Sequence, residues 1–542
     1  MENDQRAQSS APREVNPLGF AASLTAVFLT LAGLSASKHE LWRDEMQAWL
    51  IGRDLPTPAA VIAQAHYEGA PPLWNLMLWG LNQISTAPEL MQLATWLIAG
   101  LTFFIICYWA PFNRLHKILL LGNYYLLYQY GTVCRNYLPG ILALCIACVF
   151  ILSIKPRLWL GALSLIIAGF ASAHTLILSA VLALALFGVP LFAHLVPSKQ
   201  AGLSCGERRK TILRLAFLLG LTALGLLVSV VITLPLPDTY YAAAATWNNV
   251  WSPAHFARIC AAFVASSFPL PRPAGFFWIP PWDTPYPSYD DLHAIVAAAL
   301  LWFTSILFFI RSPRALITYL LGSSILGVFL YTKHLGSFRH TGLLFFTYFF
   351  ASWVLFSVTA ARFTQASKWR LQLPSLLLTI MLATQALTGL WAAREDYHHA
   401  FSGGKNAAEW LNNNGYAHAF ITVSPDWAGA PIAGYLNRTL YYPQDNREGS
   451  FTRWVSSRDD NITHEEFYAR AIIAAQGRVI VMILDRNLPE VFCAEHDIRK
   501  LTYVAGSLTP FEEYAIYVKS PSTADALSSS RTEAVQSIKS HE

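Results

Sequence analysis

Apolar runs of about 20 residues recur along this chain of 542 residues, and they limit its possible folds more than any other feature. The hydrocarbon core of a bilayer is about 30 Å thick, which a helix of about 20 residues can cross. Only 13% of the residues are charged, whereas roughly 25% are charged in a soluble domain. Because backbone groups inside a bilayer must hydrogen-bond to one another, such runs form helices. The sequence therefore predicts a polytopic α-helical membrane protein.

The apolar runs divide into about eleven predicted transmembrane helices. Their approximate ends follow from the hydropathy pattern and from the polar connectors between the runs. The predicted spans are residues 17–36, 90–110, 117–133, 138–154, 158–173, 176–196, 213–235, 292–310, 315–332, 341–360 and 374–393.

Basic residues are concentrated in the connectors that eleven spans would place on one side of the membrane. These residues are Arg114, Lys117, Lys155, Arg157, Lys199, Arg208, Arg209, Lys210, Arg214, Arg311, Arg314, Arg362, Lys368 and Arg370. The positive-inside rule assigns such a side to the cytoplasm. The amino terminus is then expected inside, and the carboxyl-terminal tail outside the membrane.

The chain divides into three predicted regions. Residues 1–394 form a transmembrane module, 395–520 a small extracytoplasmic α/β domain, and 521–542 a Ser-rich disordered tail. Within the module we expect interfacial helices in the first outer loop, 37–89, and an outer lid over 236–291. Shorter elements are also predicted: an interfacial helix near 253–267, tail helices over 405–412, 432–436 and 465–476, and strands over 419–423, 439–442, 478–484 and 514–518.

Asp44 and Glu45 lie just after the first span, at the start of a short amphipathic stretch. Four apolar residues recur there at helical spacing: Trp42, Met46, Trp49 and Leu50. We expect this face to lie in the membrane interface. A carboxylate at the edge of a bilayer is costly to keep without a role, so Asp44 is a candidate functional group. The alternative is a carboxylate that only stabilises the positive end of a helix dipole.

Further acidic and basic groups occur in segments that this topology places outside. Together with the acidic pair they are Asp44, Glu45, His66, Glu68, Arg135, His174, Lys333, His334, Arg339 and His340. A carboxylate can act as a general base, and fixed cations hold phosphate through charge-assisted hydrogen bonds. The set suits a reaction in which a hydroxyl loses a proton and an anion leaves. Alternatively, Lys333 and Arg339 only anchor a helix end, and His174 is a satisfied interfacial histidine.

Three short motifs complete the pattern on the outer side. They are Leu-Trp-Arg-Asp-Glu-Met-Gln-Ala-Trp at 41–49, His-Tyr-Glu-Gly-Ala-Pro-Pro-Leu-Trp at 66–74, and Arg-Asn-Tyr at 135–137. Together they resemble the GT-C superfamily of polyprenyl-phosphate-sugar-dependent glycosyltransferases, which includes lipid A aminoarabinose transferases and protein O-mannosyltransferases. In the order of its spans and loops, the resemblance covers residues 17–360, and it implies a GT-C-like fold.

The resemblance also implies an inverting transfer of a sugar from polyprenyl phosphate to an acceptor. Matched by position, Asp44 would be the base that deprotonates the acceptor, and Glu45 would position the acceptor or tune Asp44. A leaving phosphate needs its charge neutralised. The candidates for this role are Arg135 and Arg339, followed by Lys333 and His340. Substrate contacts are expected from His66, Tyr67, Glu68, Tyr137 and His174.

One position departs from the resemblance. Similar sequences often carry His or Lys immediately before the Pro pair, where this chain has Ala70. This leaves open whether the loop contacts the donor, with His66 as the alternative contact.

No Asp-x-Asp metal motif lies on the outer side, and the adjacent pairs at 290–291 and 459–460 are typical of caps and turns. We therefore predict metal-independent catalysis with no cofactor, the polyprenyl-phosphate sugar serving as donor. The expected partners are membrane lipids and an acceptor that is a lipid glycan, a protein or an envelope polymer, with no nucleic acid. The resemblance implies a bacterial inner membrane, with the active site facing the periplasm.

Two other classes of membrane protein stay open. A lipid-linked glycan ligase, a polymerase or an acyltransferase would also be a membrane enzyme with an outward site. A secondary transporter is less favoured, because it requires ionisable residues near the midplane and matched broken helices. Apart from Lys117 and Arg214 at the ends of two spans, the predicted spans contain no charges, and the sequence shows no repeat.

Overall fold

The computed structural model describes residues 17–196, 204–242, 247–248, 250–272, 291–360, 369–509 and 511–520. In this part of the chain, eight helices are long and apolar enough to cross a membrane. They are Pro17–Ala36, Glu89–Trp109, Ala173–Leu195, Cys205–Thr233, Leu292–Phe309, Pro313–Thr332, Phe338–Thr359 and Leu371–His398. Two shorter apolar helices are Tyr137–Leu152 and Leu158–Gly169. The protein is a polytopic α-helical membrane protein, and each of these ten helices coincides with a predicted span.

The remaining predicted span, 117–133, is not one helix. It consists of an α-helix at Arg114–Leu119, a 3-10 turn at Leu120–Gly122 and a π-helical segment at Tyr124–Gln129. The break has a local cause, because the Asn123 side chain accepts hydrogen bonds from the backbone N–H groups of Tyr125 and Leu126 and so starts a new turn. The count of eleven crossings and the orientation remain predictions.

The segments between the spans contain further helices. The first outer loop forms α1 (Arg43–Asp54), α2 (Pro58–Glu68) and α3 (Leu73–Asn82). The helix predicted near 253–267 is present as Pro253–Ser267. Most of the Pro-rich part of the expected lid, residues 273–290, lies outside the described residues, as does the tail 521–542.

The amphipathic face of α1 is covered by protein and not by lipid. Met46, Trp49 and Leu50 are completely buried, and they share one apolar cluster with residues of the carboxyl-terminal domain such as Ile421 and Val423. The expectation that this face lies in the membrane interface was wrong. The same pattern of apolar residues serves either environment, and here the domain supplies the partner surface.

The carboxyl-terminal region forms a six-stranded sheet in the order β3-β2-β1-β4-β6-β5. Its strands are β1 (Phe420–Ser424), β2 (Leu440–Tyr442), β3 (Arg447–Gly449), β4 (Ile480–Leu484), β5 (Arg499–Val504) and β6 (Tyr514–Lys519). Strand β1 runs parallel to β2 and β4, and the other pairs are antiparallel. The helices are α4 (Gly404–Asn413), α5 (Ala430–Tyr435), α6 (His464–Ala475) and α7 (Glu490–Glu495).

The predicted tail elements all lie within one or two residues of observed ones, but β3, β5 and α7 were not predicted. Strand β5 is an edge strand that begins with Arg499 and Lys500 and is largely exposed. Charged side chains of this kind protect an edge from further pairing, and they also remove the apolar signal by which a strand is predicted.

Candidate active site

A cavity of about 520 Å³ lies between the first outer loop and the carboxyl-terminal domain. Acidic, basic, amide and aromatic side chains share its wall. The lining residues are Arg43, Asp44, Gln47, Ala48, Glu68, Ala70, Pro71, Trp74, Asn75, Arg135, Asn136, Trp427, Thr452, Trp454 and Phe511. Four of them, from Trp427 onward, belong to the domain, which therefore forms one wall of the cavity.

Asp44 lies in the first turn of α1 and receives two guanidinium groups from distant parts of the chain. Its Oδ2 atom is 2.9 Å from Nη2 of Arg339 and 3.2 Å from Nη1 of Arg135. A third cation, Arg43, has its Nε 3.9 Å from Oδ1. The side chain of Asp44 is 29% exposed, so it is reached from the cavity while it is held in place.

The charges around Asp44 fix its protonation state. Burial by itself raises the pKa of the carboxyl group, but the attraction of Arg135, Arg339 and Arg43 outweighs this and lowers the pKa below its usual value. A carboxylate whose charge is satisfied in this way stays ionised and is a weak proton acceptor.

Arg135 and Arg339 approach from the ends of two helices. Arg135 lies two residues before Tyr137–Leu152, and Arg339 lies in the first turn of Phe338–Thr359. The Arg339 guanidinium also stacks over the Trp42 ring at 4.9 Å from its centroid. For Arg135, burial lowers the pKa, but the charge of Asp44 more than compensates and raises it. Both groups are thus fixed cations beside one carboxylate.

Glu45 points to a different side of α1 from Asp44 and is absent from the cavity wall. It is completely buried and pairs with His39, whose Nε2 is 3.0 Å from its Oε2. The backbone N–H groups of Trp42 and Cys134 donate to the same carboxylate. His39 in turn pairs with Asp396 at 2.7 Å from its other ring nitrogen. Glu45 thereby joins α1 to the segment that carries Arg135, and His39 joins both to the last span.

The charge on His39 follows from this double contact. Burial lowers the pKa of an isolated imidazole, but Asp396 and Glu45 reverse the effect and raise the pKa of His39 well above its usual value. His39 is therefore a buried imidazolium between two carboxylates. This buried network supports the site and was not predicted.

Glu68 is the second carboxylate of the cavity wall, and its surroundings differ from those of Asp44. Its Oε1 accepts from the amides of Gln64 at 2.9 Å and Gln47 at 3.3 Å. Burial raises its pKa to about 7, and the hydrogen bonds and nearby charges only partly offset this. The cavity therefore holds one carboxylate that is firmly ionised and one that titrates near neutral pH.

The two residues before Glu68 point away from the cavity wall. His66 Nδ1 lies 2.6 Å from the carbonyl oxygen of Leu234, and the Tyr67 hydroxyl donates to Asp238 at 3.0 Å. These contacts join α2 to the chain that follows the helix Cys205–Thr233. Neither residue lines the cavity, so substrate contact by them remains a prediction.

Three histidines and Tyr137 cluster next to Arg339. The ring centroid of His340 is 5.0 Å from that of His334, 5.7 Å from that of His174 and 5.8 Å from that of Tyr137. None of the four lines the cavity. Lys333 lies with its Nζ 4.5 Å from the centroid of the Trp247 ring, so its ammonium group contacts an aromatic face and not Asp44.

The wall formed by the domain was missed by sequence reasoning. Arg43 lies over the Trp427 ring at 4.3 Å. Phe511 is 63% exposed and has a φ of +64°, a conformation that is strained for a bulky residue. Such strain often accompanies a functional site. Only the docking of the domain on α1 brings these residues to the cavity, so the sequence carries no local signal for them.

In the described part of the chain, one group of three residues has the spacing of metal ligands: Glu465, Glu495 and His496. It lies on the carboxyl-terminal domain and does not line the cavity. Metal independence of the predicted reaction remains a prediction.

No known family profile matches the chain, and no curated protein matches it. A solved structure is similar to it: the crystal structure of ArnT from Cupriavidus metallidurans in the apo state. The match covers 92% of this chain and 98% of that chain, with 10% sequence identity and a TM-score of 0.49.

Proposed function

We propose that the protein is an integral-membrane inverting glycosyltransferase. It would move a sugar from a polyprenyl-phosphate donor to an acceptor on the outer face of a bacterial inner membrane. The supporting observation is that Asp44 contacts both Arg135 and Arg339, and that Asp44 and Arg135 line one cavity. These residues come from three separate segments, and Asp44 and Arg135 belong to two of the motifs that resemble GT-C enzymes.

The chemistry of the cavity suits this reaction. A phosphate is a good leaving group, so the transition state needs compensation for growing negative charge and no general acid. Preorganised cations provide this compensation. Each guanidinium presents five N–H donors in a planar fork, so Arg135 and Arg339 can bind Asp44 and a phosphate at the same time. We assign the donor phosphate to these two residues.

The position of the cavity suits a substrate with a lipid tail. Arg339 begins one long apolar helix, and Arg135 directly precedes a shorter one. A phosphate bound there would lie at the level of the lipid headgroups, with its polyprenyl chain among the helices. The acceptor would enter from the side of Trp427, Trp454 and Phe511. The acceptor would be a lipid glycan, a protein or an envelope polymer.

A transfer assay with isotopic donors tests the proposal. Purified protein in lipid nanodiscs is incubated with a panel of radiolabelled polyprenyl-phosphate sugars and a membrane extract as acceptor source. We expect transfer by the wild type and markedly weaker transfer by Asp44→Asn, which keeps the shape but removes the charge. Glu465→Gln, an exposed acid outside the cavity, serves as the matched control and should be fully active.

Equal transfer by wild type and Asp44→Asn would remove Asp44 from the mechanism. Absence of transfer by the wild type across the whole donor panel would contradict the proposed function.

A further inference from the structure

Two carboxylates face the same cavity, and their hydrogen-bond and charge partners give them different capacities to accept a proton. The Oδ2 atom of Asp44 is shared by the guanidinium groups of Arg339 and Arg135 at 2.9 and 3.2 Å. The nearest described donors to Glu68 are two neutral amides, those of Gln64 and Gln47. Asp44 is thus neutralised by charge, whereas Glu68 is only hydrogen-bonded.

A general base must accept a proton readily at the working pH. An aspartate between two arginines is a poor acceptor, because protonation would leave two buried cations without their counter-charge. An amide-bound carboxylate in the same cavity bears no such penalty. Unequal environments of this kind commonly separate the roles of paired carboxylates in enzymes.

From this contrast we infer that Glu68 takes the proton from the acceptor hydroxyl, and that Asp44 is a positioning residue that orients Arg135 and Arg339 toward the donor phosphate. The inference rests on the proposed function and assigns the base within that same site.

The step balances as a simple displacement. The acceptor O–H proton moves to the carboxylate of Glu68 while the hydroxyl oxygen bonds to the anomeric carbon. The bond between that carbon and the phosphate oxygen breaks, and its electron pair leaves with the polyprenyl phosphate. Arg135 and Arg339 neutralise the departing charge, and the proton on Glu68 is then lost to water.

The groups around Glu68 agree with a proton-accepting role. Across the cavity, Asp44 raises the pKa of Glu68 and Arg135 lowers it, so their effects partly cancel. On its own helix, His66 is engaged with the carbonyl of Leu234. Tyr67 donates to Asp238. The pKa of Glu68, which burial raises to about 7, places the proton transfer near neutral pH.

The decisive experiment compares pH profiles of kcat/KM between pH 5 and 9 for wild type, Glu68→Gln and Asp44→Asn. We expect the wild-type rate to rise through about pH 7. Glu68→Gln should lower kcat by about 100- to 10,000-fold, the contribution of one general base, and abolish the rise. Asp44→Asn should keep the rise and increase the KM for the donor. Glu465→Gln is the control.

A binding measurement provides a second readout that does not need turnover. Affinity for polyprenyl monophosphate in nanodiscs should fall in Asp44→Asn and stay unchanged in Glu68→Gln. This also shows that the Glu68 variant is folded.

The inference is overturned if Glu68→Gln keeps the wild-type pH profile, or if the rise disappears in Asp44→Asn but persists in Glu68→Gln. Equal phosphate affinity in wild type and Asp44→Asn would remove the positioning role. If the wild type transfers no sugar at all, it is the proposed function that fails, whereas an active wild type with an active Glu68→Gln refutes only the assignment of the base.

Discussion

The buried imidazolium of His39 offers the sharpest test of how the site is supported. His39→Ala would leave the carboxylates of Glu45 and Asp396 facing each other in a site from which solvent is excluded, since all three side chains are completely buried. Removing one partner of a buried ion pair costs about 3–5 kcal/mol, because the remaining charge has no compensation. We expect a loss of this size in the free energy of unfolding.

The pH dependence of this loss follows from the direction of the pKa shift. The pKa of His39 is raised in the folded state, while in the unfolded chain it is about 6.5. The stabilisation is therefore fully present below about pH 6.5 and is lost as the pH rises through the folded value. The difference in stability between wild type and His39→Ala should be largest in mild acid and shrink in alkali.

Denaturant unfolding of the purified protein in mixed micelles, followed between pH 5 and 10, measures this difference. The matched control is His418→Gln, which alters an exposed histidine of the carboxyl-terminal domain. A stability difference that stays constant with pH, or that grows in alkali, would refute the assignment of a charged His39. A loss below 1 kcal/mol in the free energy of unfolding would show that the buried network does not stabilise the fold around the site.

Three further perturbations have defined expectations. Arg339→Lys keeps the charge but loses the planar guanidinium, so the KM for the donor should rise about 10- to 100-fold in steady-state assays. This rise corresponds to about 1.5–3 kcal/mol, the contribution of one charged hydrogen bond. An unchanged KM would exclude Arg339 from donor binding. Gly69 ends α2 with a φ of +63°, so Gly69→Ala should lower the free energy of unfolding by about 1–2 kcal/mol in denaturant unfolding. Gly80 lies at an exposed helical position with open space around it, so Gly80→Ala should raise that free energy by up to about 1 kcal/mol. Equal effects of the two substitutions would contradict the role of the positive φ at Gly69. Phe511→Gly relieves a strained backbone and should raise the free energy of unfolding by about 1 kcal/mol. The same substitution should raise the KM for the acceptor several-fold, and a wild-type KM would exclude Phe511 from acceptor binding.

Much of the membrane architecture could be predicted because hydropathy acts locally. An apolar run of sufficient length forms a helix whatever its neighbours are, and the ten helices that coincide with predicted spans reflect this. Residues 117–133 could not be predicted in the same way. Their break depends on Asn123, which caps a new turn and whose amide contacts Gln385 on another helix.

The site was predictable to the extent that each of its charged groups is recognisable in the local sequence around it. Asp44, Arg135 and Arg339 were singled out as charged groups at the ends of spans, and the structure brings them together. Glu45 shows the limit of this reasoning. Adjacent residues on a helix point in directions about 100° apart, and only the fold decides that one faces the cavity and the other the core. The contributions of Trp427 and Phe511 required the docked domain.

The carboxyl-terminal domain and the first outer loop share one apolar cluster, and the carboxylate of Glu512 accepts the backbone N–H of Arg43 directly beside Asp44. The two parts are consequently inseparable in practice. A protein cut before residue 395 would lose one wall of the cavity, together with a cap on the helix that carries Asp44. The excised domain would expose the face of α5 that packs on α1, where Gly434 lies against Met46. A chimaeric protein would accordingly have to receive the loop and the domain together, as a single piece.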